Sequence, residues 1–541
     1  MKLNLATITG ENAKWWEEKG YILPQFDVKK AAENAKENPK WVHFGAGNIF
    51  RAFIASVQQD MLNQGLDDTG LVAVSGFNYE LLEKVYREHD NVTLLVTLKA
   101  DGNVDKKVIG SVGDSAIMDR ARAEEFGKLE EIFKKDSLQM ISFTITEKGY
   151  ALKDADGNYK ESVLREFEGG PDKSEGYMGK IASLCYIRYL SGQKPLALVS
   201  MDNFSHNGDK LKEAVVTFAK EWEKRGFVDA GYIEYLENPE KIAFPWSMID
   251  KITPRPDDAV AKLLSADGFE GADEIMVSKN THAAPFVNAE EPQYLVIEDK
   301  FPAGRPELEK AGIIFTDKDT VDKVEKMKVC TCLNPLHTAL AVFGCVLGFE
   351  KISDEMNDED LKQLVYKIGY KEGLPVVVNP GIINPEDFIR EVLEVRIPNP
   401  FMPDTPQRIA TDTSQKLPIR FGETIKAYAA SDELNVDDLT LIPLVFAGWL
   451  RYLMAVNDNG EAFDLSSDPL LDAVCPAVAG FKLGEKADME TIDAALAPVL
   501  KNATIFGVDL YEAGMAEKVC GYFAEMIEGV GAVRKTLQKY I

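Results

Sequence analysis

The sequence lacks long apolar runs and is short of basic residues. No stretch of about 18 consecutive apolar residues, the length of a membrane-spanning helix, occurs in it. The first 25 residues carry charges throughout, in place of the apolar core of a secretory signal. The 61 Lys and Arg residues against 88 Asp and Glu residues give a net charge of -27, which repels nucleic acid and acidic membrane surfaces. We therefore expect a cytoplasmic protein without nucleic-acid or membrane partners.

Cysteine is also scarce. Six cysteines in 541 residues are too few for a disulfide framework, so we expect most of them to be buried free thiols. Cys330 and Cys332 form a C-x-C pair, but no second Cys or His pair lies nearby at the spacing of a zinc site, which takes about four such ligands. The sequence therefore predicts no metal site.

The first half of the chain has the pattern of an α/β domain. Hydrophobic residues make up 45% of the chain, which is enough to form sizeable cores, and the length favours two large domains. Short apolar runs alternate with charged helical stretches, as in a mostly parallel sheet covered by helices. The runs are residues 41–44, 71–75, 93–98, 140–145, 196–201 and 274–279.

The second half has a different pattern. From about residue 320, amphipathic segments such as 358–374, 385–396 and 436–456 predict helices. A stretch rich in Pro and Gly, residues 284–312, separates the two patterns and predicts a loop-rich crossing. We therefore predict an α/β domain over residues 1–290 and a mainly α-helical domain over residues 291–541.

A glycine turn follows the first apolar run directly. Residues 41–44 run into Gly45, Gly47 and Asn48, and a predicted helix follows and ends at Gly65. Strand, glycine turn and helix in succession place backbone N–H groups where a pyrophosphate can bind. The third glycine of the usual dinucleotide fingerprint is missing, and glycines also serve ordinary turns. The run at 71–75 does not end in an acid, so the choice between NAD and NADP stays open.

Polar clusters follow two further runs. Thr146 and Glu147 come after residues 140–145, and Asn203 comes after residues 196–201. Each cluster alone can be an ordinary turn. Because open α/β sheets bind ligands at the carboxyl ends of their strands, the recurrence favours a binding site, and we expect Thr146 and Glu147 to contact a cofactor.

A possible catalytic group lies near the start of the second domain. If a helix begins near Pro335, Asn334 and His337 lie together at its first turn, with Lys328 a few residues earlier. Oxidation of a secondary alcohol by hydride transfer needs a base for the hydroxyl proton and neutral donors for the developing oxyanion. A lysine and amides supply both without zinc. The same residues also suit a surface lysine, a helix N-cap and a core histidine, and residue types alone do not decide.

Arg408, Asp412 and Lys416 recur every four residues. On one helix they would form a single face, either as a solvated row of ion pairs or as a cationic grip on sugar hydroxyls or a carboxylate. The spacing does not distinguish the two.

Seven segments together resemble the long-chain polyol dehydrogenase family, which includes the mannitol dehydrogenases. They extend from about residue 40 to beyond residue 430 and occur in the family's order: HFGAGNIFRAF, FTITEKGY, MDNFSHNG, MIDKITPRP, VIEDKFPAGRPELEKAGIIF, LNPLHTALAVFG and RIATDTSQKLP. The resemblance implies a Rossmann-type N-terminal domain that binds the nicotinamide cofactor and a mainly helical C-terminal domain for substrate and catalysis.

The resemblance also implies roles for individual residues. Lys328 would be the general acid/base, and Asn203 and Asn334 the amides that stabilise the alkoxide-like oxygen. His337 would orient the substrate, and Arg408 and Lys416 would contact it, as Asn203 and His337 also do. Glu325 would gate proton exchange with water, Asp250 would be an acid near the lysine, and Arg51 would contact the pyrophosphate.

The chain departs from the family in one place. Five residues separate Lys328 from Asn334, where the family usually has four. The extra residue must be absorbed by a bulge or by a shifted helix start.

The implied activity is the NAD(H)-dependent, metal-independent interconversion of D-fructuronate and D-mannonate. Arg255, Lys251 or Arg420 would supply a cation for the uronate carboxylate. Mannitol 2-dehydrogenase and tagaturonate reductase are alternatives within the family. A catalytically silent nucleotide-binding sensor is the alternative that the extra residue favours. The oligomeric state cannot be inferred from the sequence.

Overall fold

The computed structural model of the chain describes residues 1–154, 156–273, 275–278 and 281–541. The chain forms two compact units. One consists of Met1–Lys99 and Asn103–Asp322, and the other of Lys323–Ile541 with the short segment Ala100–Gly102. The functional boundary between residues 290 and 291 stays a prediction.

The strands lie in the first unit. They are β1 (Tyr21–Ile22), β2 (Trp41–Phe44), β3 (Leu71–Ser75), β4 (Thr93–Leu98), β5 (Val104–Ile109), β6 (Val112–Ile117), β7 (Met140–Phe143), β8 (Leu196–Ser200), β9 (Ile242–Ala243), β10 (Ser247–Asp250), β11 (Ile275–Ser278), β12 (Thr281–Ala283), β13 (Phe286–Glu290), β14 (Tyr294–Glu298) and β15 (Ile314–Thr316). The predicted run 274–279 corresponds to β11, and both of its end residues lie outside the described part of the chain.

The largest sheet has six parallel strands in the order β6-β3-β2-β7-β8-β9. This is the doubly wound order of a Rossmann fold, and the predicted fold class is confirmed. The strand order reverses between β2 and β7. The turns after these two strands therefore flank the position where such sheets bind a dinucleotide.

The smaller sheets differ from the predicted pattern in two places. The run at 93–98 is not in the large sheet, because β4 pairs antiparallel with β5 and parallel with β13. The stretch 284–312, predicted to be loop-rich, contains β13 and β14. Both strands are buried, and β14 pairs with β10 and β15, so pairing with distant segments outweighs the Pro and Gly of their flanks.

The helices of the first unit surround these sheets. They are α1 (Ala13–Glu18), α2 (Val28–Glu37), α3 (Ala55–Asn63), α4 (Tyr79–Leu81), α5 (Ala123–Lys134), α6 (Glu161–Gly169), α7 (Tyr177–Leu190), α8 (Asn207–Lys224), α9 (Ala230–Glu237), α10 (Asp258–Asp267) and α11 (Lys318–Met327). The last of these continues past Asp322 into the second unit.

The second unit is helical, as predicted. Its helices are α12 (Asn334–Leu347), α13 (Ile352–Glu355), α14 (Glu359–Lys367), α15 (Pro385–Glu391), α16 (Pro406–Ile409), α17 (Thr413–Leu417), α18 (Glu423–Ala429), α19 (Leu441–Tyr452), α20 (Leu471–Val474), α21 (Met489–Leu500), α22 (Ala503–Phe506), α23 (Ala516–Met526) and α24 (Ala532–Tyr540).

Two of these helices have informative bounds. The predicted helix 436–456 is shorter in the structure, because the Glu372 carboxylate accepts hydrogen bonds from the backbone N–H groups of Thr440, Leu441 and Ile442 at 2.7–2.9 Å and so caps α19. The helical stretch Lys318–Leu347, which includes α11 and α12, is long and apolar enough to cross a membrane by length and composition. Its most apolar window is 78% buried inside the structure, as in the core helix of a folded unit.

Candidate active site

The glycine turn after β2 has one position that only glycine can occupy. Gly45 has a φ of +113°, and a Cβ there would overlap the carbonyl oxygen of Thr144. Its N–H donates to the Val74 carbonyl at 2.9 Å. Gly47 is different, because its φ is ordinary and a Cβ would meet nothing within 4 Å. The helical segment that leads into α3 starts at Asn48. Its first N–H groups therefore adjoin the open space at Gly47.

Arg51 lies beneath this turn instead of facing a ligand. Its side chain is 0% exposed, with Nη1 donating to the Ala284 carbonyl at 2.7 Å and Nη2 to Asn48 Oδ1 at 2.9 Å. Within the described residues it forms no ion pair, and burial lowers the pKa of the guanidinium. The implied contact between Arg51 and pyrophosphate therefore needs correction. Arg51 has no surface with which to touch a ligand, and it acts by orienting Asn48 and by placing a positive charge under the helix N-terminus.

A directional chain of hydrogen bonds supports the turn from inside the sheet. His43 is completely buried, with Nδ1 2.7 Å from Ser142 Oγ and Nε2 2.8 Å from Thr144 Oγ1. Trp41 Nε1 donates to Ser142 Oγ at 2.7 Å, and Thr144 Oγ1 donates to the Gly45 carbonyl at 3.0 Å. Because each hydroxyl has one proton, His43 accepts at Nδ1 and donates from Nε2. These hydrogen bonds therefore all donate in one direction, towards the Gly45 carbonyl. This series of bonds was not anticipated from the sequence.

This buried histidine makes stability depend on pH. Burial lowers the pKa of His43 to about 3 in the folded protein, from 6.5 when the ring is exposed. The unfolded chain therefore binds the extra proton first, and the stabilisation present above pH 6.5 is lost as the pH falls towards 3. We expect the stability gap between the wild type and His43→Gln to shrink by about 2 kcal/mol between pH 7 and pH 5, since each unit is worth about 1.4 kcal/mol. Urea unfolding at both pH values measures this gap, and an unchanged gap would mean that the ring takes up its proton as readily in the folded protein as in the unfolded chain.

Asp202 joins the turns that follow β7 and β8. Its carboxylate accepts hydrogen bonds from the N–H groups of Ile145 and Thr146 at 2.9 and 2.8 Å and from the Tyr150 hydroxyl at 2.6 Å. Burial raises the pKa of this carboxyl. Thr146 is held with a φ of 65°. The sequence places Asp202 in the polar cluster after a predicted strand but did not indicate its role, because its partners at residues 145, 146 and 150 lie in another turn.

The predicted residues of these turns face solvent. Thr146, Glu147 and Asn203 are exposed. Glu147 also lines a cavity of about 220 Å³ together with Phe204 and other residues of the same unit. The structure therefore leaves all three accessible to a ligand.

Asn207 connects the turn of Asn203 to the strand of Asp250. It is fully buried, its Nδ2 donates to the carbonyl oxygens of Asp202 and Ser247 at 3.0 Å, and its Oδ1 accepts from Ser247 N at 3.0 Å. Strand β10 then ends at Asp250, which is itself buried.

In the second unit, the extra residue before Asn334 is absorbed by a π turn. Residues Lys328–Cys332 form this turn, and Leu333 N donates to the Lys328 carbonyl at 3.1 Å, the i to i+5 bond of a π helix. A π turn holds one more residue than an α turn, so of the two possibilities, a bulge or a shifted helix start, the structure has the bulge. Lys328 is 4% exposed, and Glu325 is half-buried on α11 one turn earlier.

Asn334 and His337 occupy the first turn of α12, as expected of a helix that starts near Pro335. Both are half-buried, whereas Pro335, Leu336 and Thr338 between and after them are buried. Leu333 is the N-cap residue, and no side chain caps the helix. The Asn334 amide is therefore not used as a cap.

The segment from Arg408 to Lys416 is not one helix, so the predicted single face is wrong. Asp412 has a φ of 54° and separates α16 from α17, because its N–H is held by the Ser467 carbonyl at 2.8 Å. Arg408 is largely exposed and pairs with Asp404. Lys416 is half-buried and its Nζ donates to the Ile409 carbonyl at 3.0 Å.

The three candidate cations for a carboxylate differ in their surroundings. Lys251 is buried and its Nζ donates to the Glu290 carbonyl at 2.6 Å. Arg255 is exposed. Arg420 is half-buried and its Nη1 donates to Thr338 Oγ1 at 2.6 Å. Of the three, Arg420 is tied to the helix that carries Asn334 and His337.

Known proteins match both halves of the chain. The model of the mannitol dehydrogenase Rossmann domain matches residues 39–310, and that of the mannitol dehydrogenase C-terminal domain matches residues 320–526. A D-mannonate oxidoreductase of Thermotoga maritima is 50% identical over 100% of this chain and 99% of its own length.

Two solved structures share the fold. A substrate-free D-sorbitol dehydrogenase has a TM-score of 0.78 at 24% identity, covering 98% of this chain and 100% of its own. A mannitol 2-dehydrogenase of Pseudomonas fluorescens, solved with NAD and D-mannitol, has a TM-score of 0.67 at 23% identity, covering 100% and 99%. With both domains matched over most of its length, the chain belongs to the mannitol dehydrogenase family of oxidoreductases.

Proposed function

We propose that this chain interconverts D-mannonate and D-fructuronate with NAD(H) and without a metal. The observation that carries the proposal is the 50% identity to a D-mannonate oxidoreductase over the whole chain. The substrate is then a small sugar acid. The assignment of residues 1–290 to cofactor binding and of residues 291–541 to substrate and catalysis stays a prediction, as do the cytoplasmic location and the absence of nucleic-acid and membrane partners.

The glycine turn fits a dinucleotide. The open space at Gly47, the helix N-terminus at Asn48 and the unpaired positive charge of Arg51 below them all favour a pyrophosphate. Thr146 and Glu147 lie after β7, on the other side of the point where the strand order reverses. A nicotinamide cofactor bound there would supply the acceptor for the hydride that leaves the substrate carbon.

The catalytic residues then handle the proton and the oxygen. Lys328 takes the proton of the substrate hydroxyl during oxidation and returns it during reduction, and Glu325 passes it to water. The amides of Asn203 and Asn334 donate to the oxygen as negative charge develops on it.

The remaining predicted residues position these groups and the substrate. Asp250 acts on the lysine, and His337 orients the substrate. Arg408 and Lys416 contact the substrate.

The alternatives differ in the charge of their substrates. Mannitol 2-dehydrogenase acts on an uncharged polyol, and the half-buried cation Arg420 favours a sugar acid instead. Tagaturonate reductase is distinguished only by the epimer of its substrate. The silent sensor loses its main support, because the π turn at Lys328 accommodates the extra residue without removing the lysine from the interior.

The test measures the oxidation of NADH, as loss of its absorbance, with D-fructuronate, D-tagaturonate or D-fructose as the substrate. Each assay is run with and without a chelator. We expect D-fructuronate to be reduced with a kcat/KM at least about 100-fold above that for D-fructose, because a neutral substrate leaves the half-buried cation of Arg420 unpaired. The chelator should leave the rate unchanged. Turnover with fructose alone would contradict the uronate substrate, and binding of NADH without any turnover would favour the sensor.

A further inference from the structure

Arg420 is fixed to the turn that carries the predicted catalytic amide and imidazole. It lies in the π turn Pro418–Gly422, directly after α17. Its Nη1 donates to Thr338 Oγ1 at 2.6 Å, and the Thr338 hydroxyl donates in turn to the Asn334 carbonyl at 3.0 Å. The guanidinium is therefore anchored to Thr338, the residue that follows His337 on α12.

The charge of Arg420 is half-buried without a counter-charge. Across the residues that the structure describes, it makes no ion pair, and burial lowers its pKa to about 10. The guanidinium has five N–H donors, of which the Thr338 contact uses one. Lys416, one turn earlier, adds a second cation whose pKa is lowered to about 8, first by burial and then by the charge of Arg420.

Two acids, Asp412 and Asp468, act on the charge of Lys416. Asp412 is exposed, and Glu423, three residues after Arg420, pairs with Lys426 at 2.7 Å. Asp468 caps α17, with its oxygen atoms accepting from Ser414 N at 2.8 Å and from Leu470 N at 3.0 Å. Burying a cation without a partner is costly, so such a group is normally paired with an anion. Among the residues that the structure describes, no carboxylate pairs with Arg420.

We propose that Arg420, with Lys416 beside it, binds the carboxylate of the sugar-acid substrate and thereby makes the site prefer aldonates and uronates to neutral polyols and ketoses. This inference rests on the proposed function and identifies the group that recognises the charged end of the substrate. A planar guanidinium forms two parallel hydrogen bonds to a carboxylate, and the bond to Thr338 anchors one of its N–H groups while others stay available. The carboxylate is then held beside the turn of Asn334 and His337, and no proton or electron moves at Arg420.

The experiment compares the wild type with Arg420→Gln and Arg420→Lys, using D-mannonate and its uncharged amide, D-mannonamide. We expect Arg420→Gln to raise KM for D-mannonate about 30- to 100-fold, the loss of a charged hydrogen bond, with kcat within about threefold. The inhibition constant of D-mannonamide and the Kd of NADH should change less than about twofold. Arg420→Lys keeps the positive charge but lacks the paired N–H donors of the guanidinium. Its KM for D-mannonate should therefore lie between those of the wild type and Arg420→Gln. Lys426→Gln removes an exposed cation from the next helix and serves as the matched control.

The outcomes separate this inference from the proposed function. If the wild type does not oxidise D-mannonate, the proposed function fails, and calorimetric binding of D-mannonate to wild type and Arg420→Gln then decides the role of Arg420. If the wild type is active, an equal loss for D-mannonate and D-mannonamide, or a joint loss of NADH binding and melting temperature, overturns the inference in favour of a structural role. An unchanged KM for D-mannonate overturns it as well.

Discussion

Lys328→Ala is expected to lower kcat for D-mannonate oxidation by about 10³-fold, in line with the usual contribution of a positioned general base. Lys328 is 4% exposed, so water has little access to replace it. The Kd of NADH should stay within about twofold of the wild type, because the lysine acts on the substrate hydroxyl. Single-turnover kinetics report the chemical step, and fluorescence titration with NADH reports binding.

Two further measurements sharpen this test. Removing a buried side chain leaves a space that a small amine can enter, so methylamine should restore part of the rate in Lys328→Ala. Lys323→Ala removes an exposed lysine from α11, the helix that leads into the turn of Lys328, and should leave kcat unchanged. Near-normal turnover in Lys328→Ala would place the base at another residue.

The strands that the sequence predicted best are the buried strands of the large sheet. β2 and β3 have the predicted bounds, because each is an unbroken apolar run that ends at a polar or glycine turn. β5, with the sequence VDKKVI, was missed because its charged residues interrupt the apolar pattern. Its place is set by pairing with β4, an interaction that local sequence does not encode.

The site residues divide in the same way. The π turn at Lys328 could be foreseen, because one extra residue before a helix is accommodated either by a bulge or by a shifted helix start. The break at Asp412 was not, since it depends on a hydrogen bond to Ser467, far along the chain. His43 was missed because it is one position in an apolar strand, and its partners Ser142 and Thr144 come from another strand.

The two glycines of the turn after β2 allow folding and cofactor binding to be tested separately. Gly45→Ala combines a positive φ with an overlap between the new methyl group and the Thr144 carbonyl, so we expect a lower melting temperature together with the loss of NADH binding. Gly47→Ala adds a methyl group that meets nothing within 4 Å, so the fold should keep its melting temperature. The methyl group then occupies the space in which we propose that the pyrophosphate lies. The Kd of NADH should rise at least about 30-fold, because the pyrophosphate can no longer approach the backbone N–H groups of the turn.

Gly47→Ala is the sharper of the two variants, because its effect does not pass through folding. Calorimetric melting without cofactor and fluorescence titration with NADH measure the two quantities independently. If Gly47→Ala melts like the wild type and also binds NADH like the wild type, the pyrophosphate lies elsewhere, and Asn48 and Arg51 lose their proposed roles with it. If binding is lost while melting is unchanged, the helix N-terminus at Asn48 is the anion site, and the buried charge of Arg51 acts on the cofactor through that turn.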